Sequence, residues 1–240
     1  MRIKAVLEYD GSKFYGFQRQ TTTPQTITTQ IELALKSIQI KSEIVGSGRT
    51  DRGVHASNQV IHFDIPPFWN NLNKLKHTLN QKLKYIRFKH ICLVDEAFHA
   101  RFSPKARVYR YILKTSPLSV FEQNYISYYT SFDKVLLQKA LDRFVGQHDF
   151  TYFHKTGSNP HSTVREIYNA YHKPYNGYHI IYFNANGFLR SQVRMMIEAS
   201  MKVAQGKLSI SQLTEQIDTK HSHINTLAPS SGLYLARIIY

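Results

Sequence analysis

The chain has 240 residues, 42% of them hydrophobic, with 31 Lys and Arg against 16 Asp and Glu, a formal net charge of +15. That apolar content supplies a real core and excludes a disordered basic tail. No apolar run approaches the roughly 18–20 residues of a membrane span, and the opening MRIKAVLEYDG lacks a signal-peptide core, so a cytoplasmic protein is expected. The single cysteine, Cys92, excludes a disulfide framework and a thiolate-rich metal site, and a pI near 9.8 points to a polyanionic partner, nucleic acid first.

IKAVLEYDG reads as a strand running into a turn, and Gln25 to Ile38 has the apolar spacing of a helix. NQVIHFDI is a second strand, stopped by Pro66-Pro67. Asn70 to Leu83 is a lysine-rich amphipathic helix, followed by the strand KYIRFKHICLV. The second half repeats this grammar. RVYRYILKT is a strand and Asp133 to Val145 a helix with Asp133 as its N-cap. REIYNAYHK and YHIIYFNAN form a hairpin about Pro174, Asn176 and Gly177; Ser191 to Gln205 is a helix closed by Gly206; GLYLARIIY is a last strand. The expected architecture is α+β: two ferredoxin-like (RRM-like) halves, residues 1–102 and 103–240, with mainly antiparallel sheets packed into one body.

Both halves are basic, with 14 bases and 8 acids in residues 1–100 and 17 and 8 in residues 101–240. This argues for a folded basic surface rather than a detachable arm. Between Asp64 and Glu122 the only acids are Asp95 and Glu96, against eleven bases that include Lys76, Lys84, Arg107 and Arg110. Tyr85, Phe88, Phe98, Phe102, Tyr109 and Tyr111 are interleaved among them. Lysine and arginine neutralise phosphates and exposed rings stack on unpaired bases, although most of these rings are expected in the core.

The segment GSGRTDRGVHASNQVIHFD, Gly46 to Asp64, is unlike an ordinary connection. Three glycines surround Arg49, Thr50, Asp51 and Arg52. Glycine permits tight backbone and close ligand approach, and an acid between two arginines is held in its charged, nucleophilic form. On these residues alone, a turn with a local salt bridge is the favoured account of the pattern. A phosphate-cradling loop fits poorly, because neither the Gly-Lys-Ser/Thr ending nor the dinucleotide glycine spacing is present.

The string GRTDRGVHA, Gly48 to Ala56, followed by Gln59-Val60 and His62-Phe63, resembles the signature of the tRNA pseudouridine synthase A family. LEYDGSKFYGFQRQ, FHARFSPKARVYRYIL, GQHDFTYF, ANGFLRSQVR and SGLYL match in order, across nearly the whole chain. The resemblance implies the pseudouridine synthase fold, isomerisation of uridine to pseudouridine at positions 38, 39 and 40 of the tRNA anticodon stem-loop, no cofactor, and a homodimer. It makes Asp51 the catalytic aspartate, attacking either ribose C1′ or the uracil ring. Tyr109 matches the active-site tyrosine, stacking on uracil and helping proton removal from C5. Arg194 matches the basic partner of the catalytic carboxylate; Arg190, four residues earlier, is the alternative if both are helical.

Arg49 is the candidate for filling the gap left by an extruded uridine, with a phosphate contact as the equal alternative. Arg52, Arg107, Arg110, Lys76 and Lys84 complete the expected tRNA-binding set. Two departures from the family pattern stand out: Arg52 replaces a small residue, and Glu198 enters a helix stretch that is usually apolar. The loop Lys155 to Thr163 matches only loosely. His55 and His62 are expected at the core or its edge. No metal is expected, since His221 and His223 would project oppositely on a strand and lack companion ligands. The rival reading is a non-catalytic RNA-binding protein with RRM-like sheets, but no RNP1-type string is present.

Overall fold

Strand β1 (Arg2–Tyr9) buries every second side chain, Ile3, Ala5, Leu7 and Tyr9, as its alternating sequence requires. This chain is described from a computed structural model, which covers residues 1–157 and 160–240. Helix α1 (Ile27–Lys36) starts where Thr26 Oγ1 accepts from Thr29 N, and buries Ile27, Ile31, Ala34 and Leu35. The short β2 (Val45–Gly46) pairs with β3 (His55–Asp64), which runs antiparallel to β1 with Val6 opposite Val60. Asn71 caps α2 (Leu72–Lys82), whose Leu75 and Leu79 are buried one turn apart. Strand β4 (Ile86–Leu93) flanks β1 on its other edge, with Val6 opposite His90.

The chain divides into two units, residues 1–105 with 234–240 and residues 106–233. In the second, β5 (Ala106–Lys114) pairs in parallel with β6 (Ser127–Tyr128) and antiparallel with β9 (Tyr178–Ala185). Between these in sequence come α3 (Lys134–Asp142), β7 (Gly146–Asp149) and β8 (Val164–Tyr175), giving the order β6-β5-β9-β8-β7. Asp133 caps α3 as expected, accepting from Val135 N and Leu136 N. Asn176 and Gly177 take φ of 45° and 79°, the left-handed pair of a tight hairpin between β8 and β9. Helix α4 (Gln192–Ala204) ends before Gly206, whose φ is 70°. Tyr109, Tyr111 and Leu113 lie on the buried face of β5, with Phe183 and Ile181 opposite the two tyrosines.

Helix α5 (Ile210–Ile217) was not anticipated, although its signal is plain. Ser209 Oγ accepts from Gln212 N while Gln212 Oε1 accepts from Ser209 N, a reciprocal capping box. The last strand, β10 (Leu233–Ile239), departs from the expected division. Tyr234 and Leu235 pair in parallel with His55 and Ala56 of β3, so this strand joins the first unit rather than the second. A parallel partner so distant in sequence leaves no local turn signal. The architecture is α+β with mainly antiparallel sheets, as the sequence implies. Among the described residues, no helix is long and apolar enough to cross a membrane.

Candidate active site

The loop between β2 and β3 sorts its side chains by exposure. Ser47 and Thr50 are buried, Asp51 is half-buried, and Arg49 and Arg52 are exposed. Its backbone is held by two neighbouring segments and by a turn of its own. Ser47 N donates to Val60 O (2.8 Å), Phe17 N donates to Thr50 O (3.0 Å), and Val54 N donates to Asp51 O (3.1 Å). Gln59, buried on β3, donates from Nε2 to Gly48 O (2.7 Å). The Tyr9 hydroxyl shares a 2.8 Å hydrogen bond with Thr50 Oγ1, and burial pushes the Tyr9 pKa up, so it remains protonated.

The segment after β1 forms the frame. Gly11 lies so close that a Cβ there would stand 2.0 Å from Val54 O, while a Cβ on Gly46 would stand 2.4 Å from the Phe17 ring. Gly16 has φ of 109° and would carry a Cβ 3.1 Å from Thr50 O. Gly11 is required by its approach to backbone and Gly16 by its positive φ, while a side chain at Gly46 would have to displace the Phe17 ring. His55 is 1% exposed, accepts at Nδ1 from Gly11 N (3.1 Å), and stacks on Tyr234 with centroids 4.7 Å apart. His55 is thus a core histidine holding the frame to the strand, as expected. His62 does similar work, accepting at Nδ1 from Ala100 N at 3.0 Å.

In the second unit, Tyr109 is buried on β5 and meets Phe188 edge-on, with centroids 5.2 Å apart and planes at 88°. Arg194 is half-buried near the start of α4. Its Nε donates to Ala228 O (2.7 Å) and its backbone carbonyl accepts from Ala228 N (3.2 Å), which ties the residue to the Ala228 segment. Arg190 does not share that helix. Ser191 takes a left-handed φ of 60° and α4 begins at Gln192, so the two arginines do not lie on one helical face.

The remaining basic candidates separate. Arg107 donates from Nη1 to Asn186 O (2.9 Å). Arg110, half-buried, lies on the face of β5 opposite Tyr109. Lys76 is half-buried on α2. Lys84 approaches the exposed Tyr85 ring at 5.3 Å, and so does Lys13 at 5.6 Å, a residue not anticipated. Tyr85 O accepts from Asp10 N (3.0 Å), which ties this basic and aromatic cluster to the frame of the Asp51 loop.

Residues 5–103 and 140–240 match the family described as tRNA pseudouridine synthase. Proteins called tRNA pseudouridine synthase A are 39% identical in Wolinella succinogenes (99% of this chain, 94% of that protein) and 39% identical in Campylobacter jejuni (100% of each). One from Helicobacter pylori is 38% identical over 99% of each. This chain belongs to the tRNA pseudouridine synthase family.

The two departures from the family pattern both find partners. Glu198, on an otherwise apolar stretch of α4, accepts from the Tyr129 hydroxyl at 2.9 Å. Burial, then the neighbouring Tyr111 and Glu198, push the Tyr129 pKa up and keep it a donor. Arg52 lies over the ring of Tyr15, its guanidinium carbon 4.3 Å from the centroid. The sequence hides this contact, because it depends on the approach of Gly16 to Thr50. Within the loosely matching loop Lys155 to Thr163, Ser158 and Asn159 lie outside the described residues.

The histidine expectation needs correcting. His221 and His223 do not project oppositely; their segment is not a strand, and the rings lie 4.6 Å apart. His223 Nε2 bonds Glu215 Oε2 at 2.7 Å. No group of three or more potential metal ligands occurs among the described residues.

Proposed function

We propose that this enzyme isomerises uridine to pseudouridine at positions 38, 39 and 40 of the tRNA anticodon stem-loop, in the cytoplasm and as a homodimer. The reaction breaks the bond between ribose C1′ and uracil N1 and forms one between C1′ and C5. C5 loses a proton and N1 gains one, so neither an oxidant nor a phosphate donor is consumed, and no cofactor is required. Asp51 is the nucleophile. A carboxylate suits either point of attack, since it adds when ionised and leaves readily afterwards. Tyr109 stacks on the uracil and assists removal of the C5 proton; Arg194 serves the carboxylate's negative charge. Residues 1–102 carry the aspartate loop, and residues 103–240 supply the tyrosine and the arginine.

The observation that carries the reading is the Asp51 loop. Its backbone is fixed by Phe17, Val60 and Gln59, while Asp51 stands in the chain between the exposed residues Arg49 and Arg52. A uridine in a stem must leave the stack to reach a carboxylate, at a cost of a few kcal/mol. Arg49, exposed two residues before the nucleophile, fills the vacated space or contacts a phosphate; Arg52, Arg107, Arg110, Lys76 and Lys84 hold the RNA. The test is tritium release from tRNA labelled at uracil C5. Wild-type protein releases tritium and Asp51→Asn does not. Absence of release by the wild type, with tRNA bound, would favour a non-catalytic RNA-binding protein.

A further inference from the structure

Arg52 follows the aspartate of the Asp51 loop directly, and the structure gives it a partner. Its guanidinium carbon lies 4.3 Å from the centroid of Tyr15. Both residues are exposed, Tyr15 to 45%. A cation buried against a ring serves the core; a flat cation held over a ring in solvent presents a second flat face outward.

Both ends of this pair are anchored. Tyr15 N donates to Gln25 O (2.9 Å), and Tyr15 O accepts from Gln20 Nε2 (2.7 Å). The next two residues, Gly16 and Phe17, are pressed against Thr50. Arg52 follows Asp51 directly and precedes Gly53, whose φ of 78° turns the chain into β3. The platform is therefore built before any ligand arrives, which lowers the entropic cost of binding.

We propose that Arg52 and Tyr15 form a stacking platform for the nucleobase that adjoins the target uridine, and so bias the choice among tRNA sequences. Extruding the uridine strips its neighbour of a stacking partner, and a guanidinium already held over a ring replaces it. Any base has a π-face, so the platform favours strong stackers over weak ones without reading hydrogen-bond edges. This inference rests on the pseudouridine synthase reading of the same loop. It differs from a phosphate contact, which needs the charge of Arg52 but neither its planarity nor Tyr15.

The experiment uses anticodon-arm RNAs carrying 2-aminopurine either 5′ or 3′ of the target uridine. They are bound to the full chain with Asp51→Asn, so that no turnover occurs. Stacking quenches 2-aminopurine at one of the two positions, and the quench is lost on adding Arg52→Ala, Arg52→Lys or Tyr15→Leu. In the active background each of these three substitutions lowers kcat/KM by about tenfold, within the range that base stacking contributes. Unchanged thermal melting shows that the variants fold; Arg52→Ala restores the small residue usual in the family. No quench at either position in bound RNA overturns the proposal. So does an Arg52→Lys enzyme with wild-type kcat/KM, which marks a phosphate contact. A wild type that releases no tritium overturns the parent reading, and the platform with it.

Discussion

The Asp51 loop and the β8–β9 hairpin solve the same problem, a sharp change of chain direction, by opposite means. The hairpin is local. Asn176 and Gly177 take left-handed φ values, and the strands then pair in sequence, with Tyr171 stacked on Tyr182 at 4.9 Å. The loop is not local. Its shape depends on Gly11, Gly16 and Phe17, more than thirty residues earlier, and on Gln59 beyond it. A turn that need only turn can be written in two residues. A turn that must hold a carboxylate between two exposed arginines is braced by its neighbours.

That contrast can be broken at its glycines. Gly11→Ala places a methyl carbon 2.0 Å from Val54 O, a backbone atom that cannot swing away. The expected cost is about 3 kcal/mol of stability, read by denaturant unfolding, together with loss of activity even where the protein stays folded. A Gly11→Ala enzyme with wild-type turnover would mean that the brace is dispensable. Gly177→Ala meets nothing within 4 Å, so only its φ of 79° opposes the substitution. The expected cost is about 1 kcal/mol, with unchanged kcat.

The smallest effect is in the hairpin's response to acid. His172 Nε2 and His179 Nδ1 lie 3.0 Å apart with Phe132 edge-on to both rings. Burial, then His179 and Lys134, hold the His172 pKa down to about 4; burial and Lys134 lower that of His179. Below the ordinary value of 6.5 the unfolded chain takes up protons that the folded chain refuses. Stability is therefore full above pH 6.5 and declines as pH falls toward about 4. His62, whose pKa is lowered chiefly by burial, contributes with the same sign. The double variant His172→Gln, His179→Gln flattens the dependence of Tm on pH without abolishing it. An unchanged slope would show that the pair carries none of it.

What was legible in the sequence follows the same division. Alternation exposed β1 and β5, the Asn176-Gly177 pair exposed the hairpin, and Asp133 marked the start of α3, because each signal lies within a few residues of its effect. The motif around Asp51 was legible as a string, whereas its bracing by Gly11 and Phe17 was not. The pairing of Tyr15 with Arg52 was hidden for the same reason, as was the parallel return of β10 to β3. The separation of Arg190 from α4 is a different case. Apolar periodicity locates a helix but not its first residue, and a left-handed Ser191 decides which arginine is helical.

The central claim is that Asp51 performs the isomerisation in the anticodon arm. Its most direct test is chemical mapping of pseudouridine in unmodified tRNA after incubation with purified wild-type protein and with Asp51→Asn. Pseudouridine is expected at positions 38, 39 or 40 with the wild type and none with the variant, although the variant still binds tRNA. Pseudouridine formed by Asp51→Asn, or by neither protein, would contradict it.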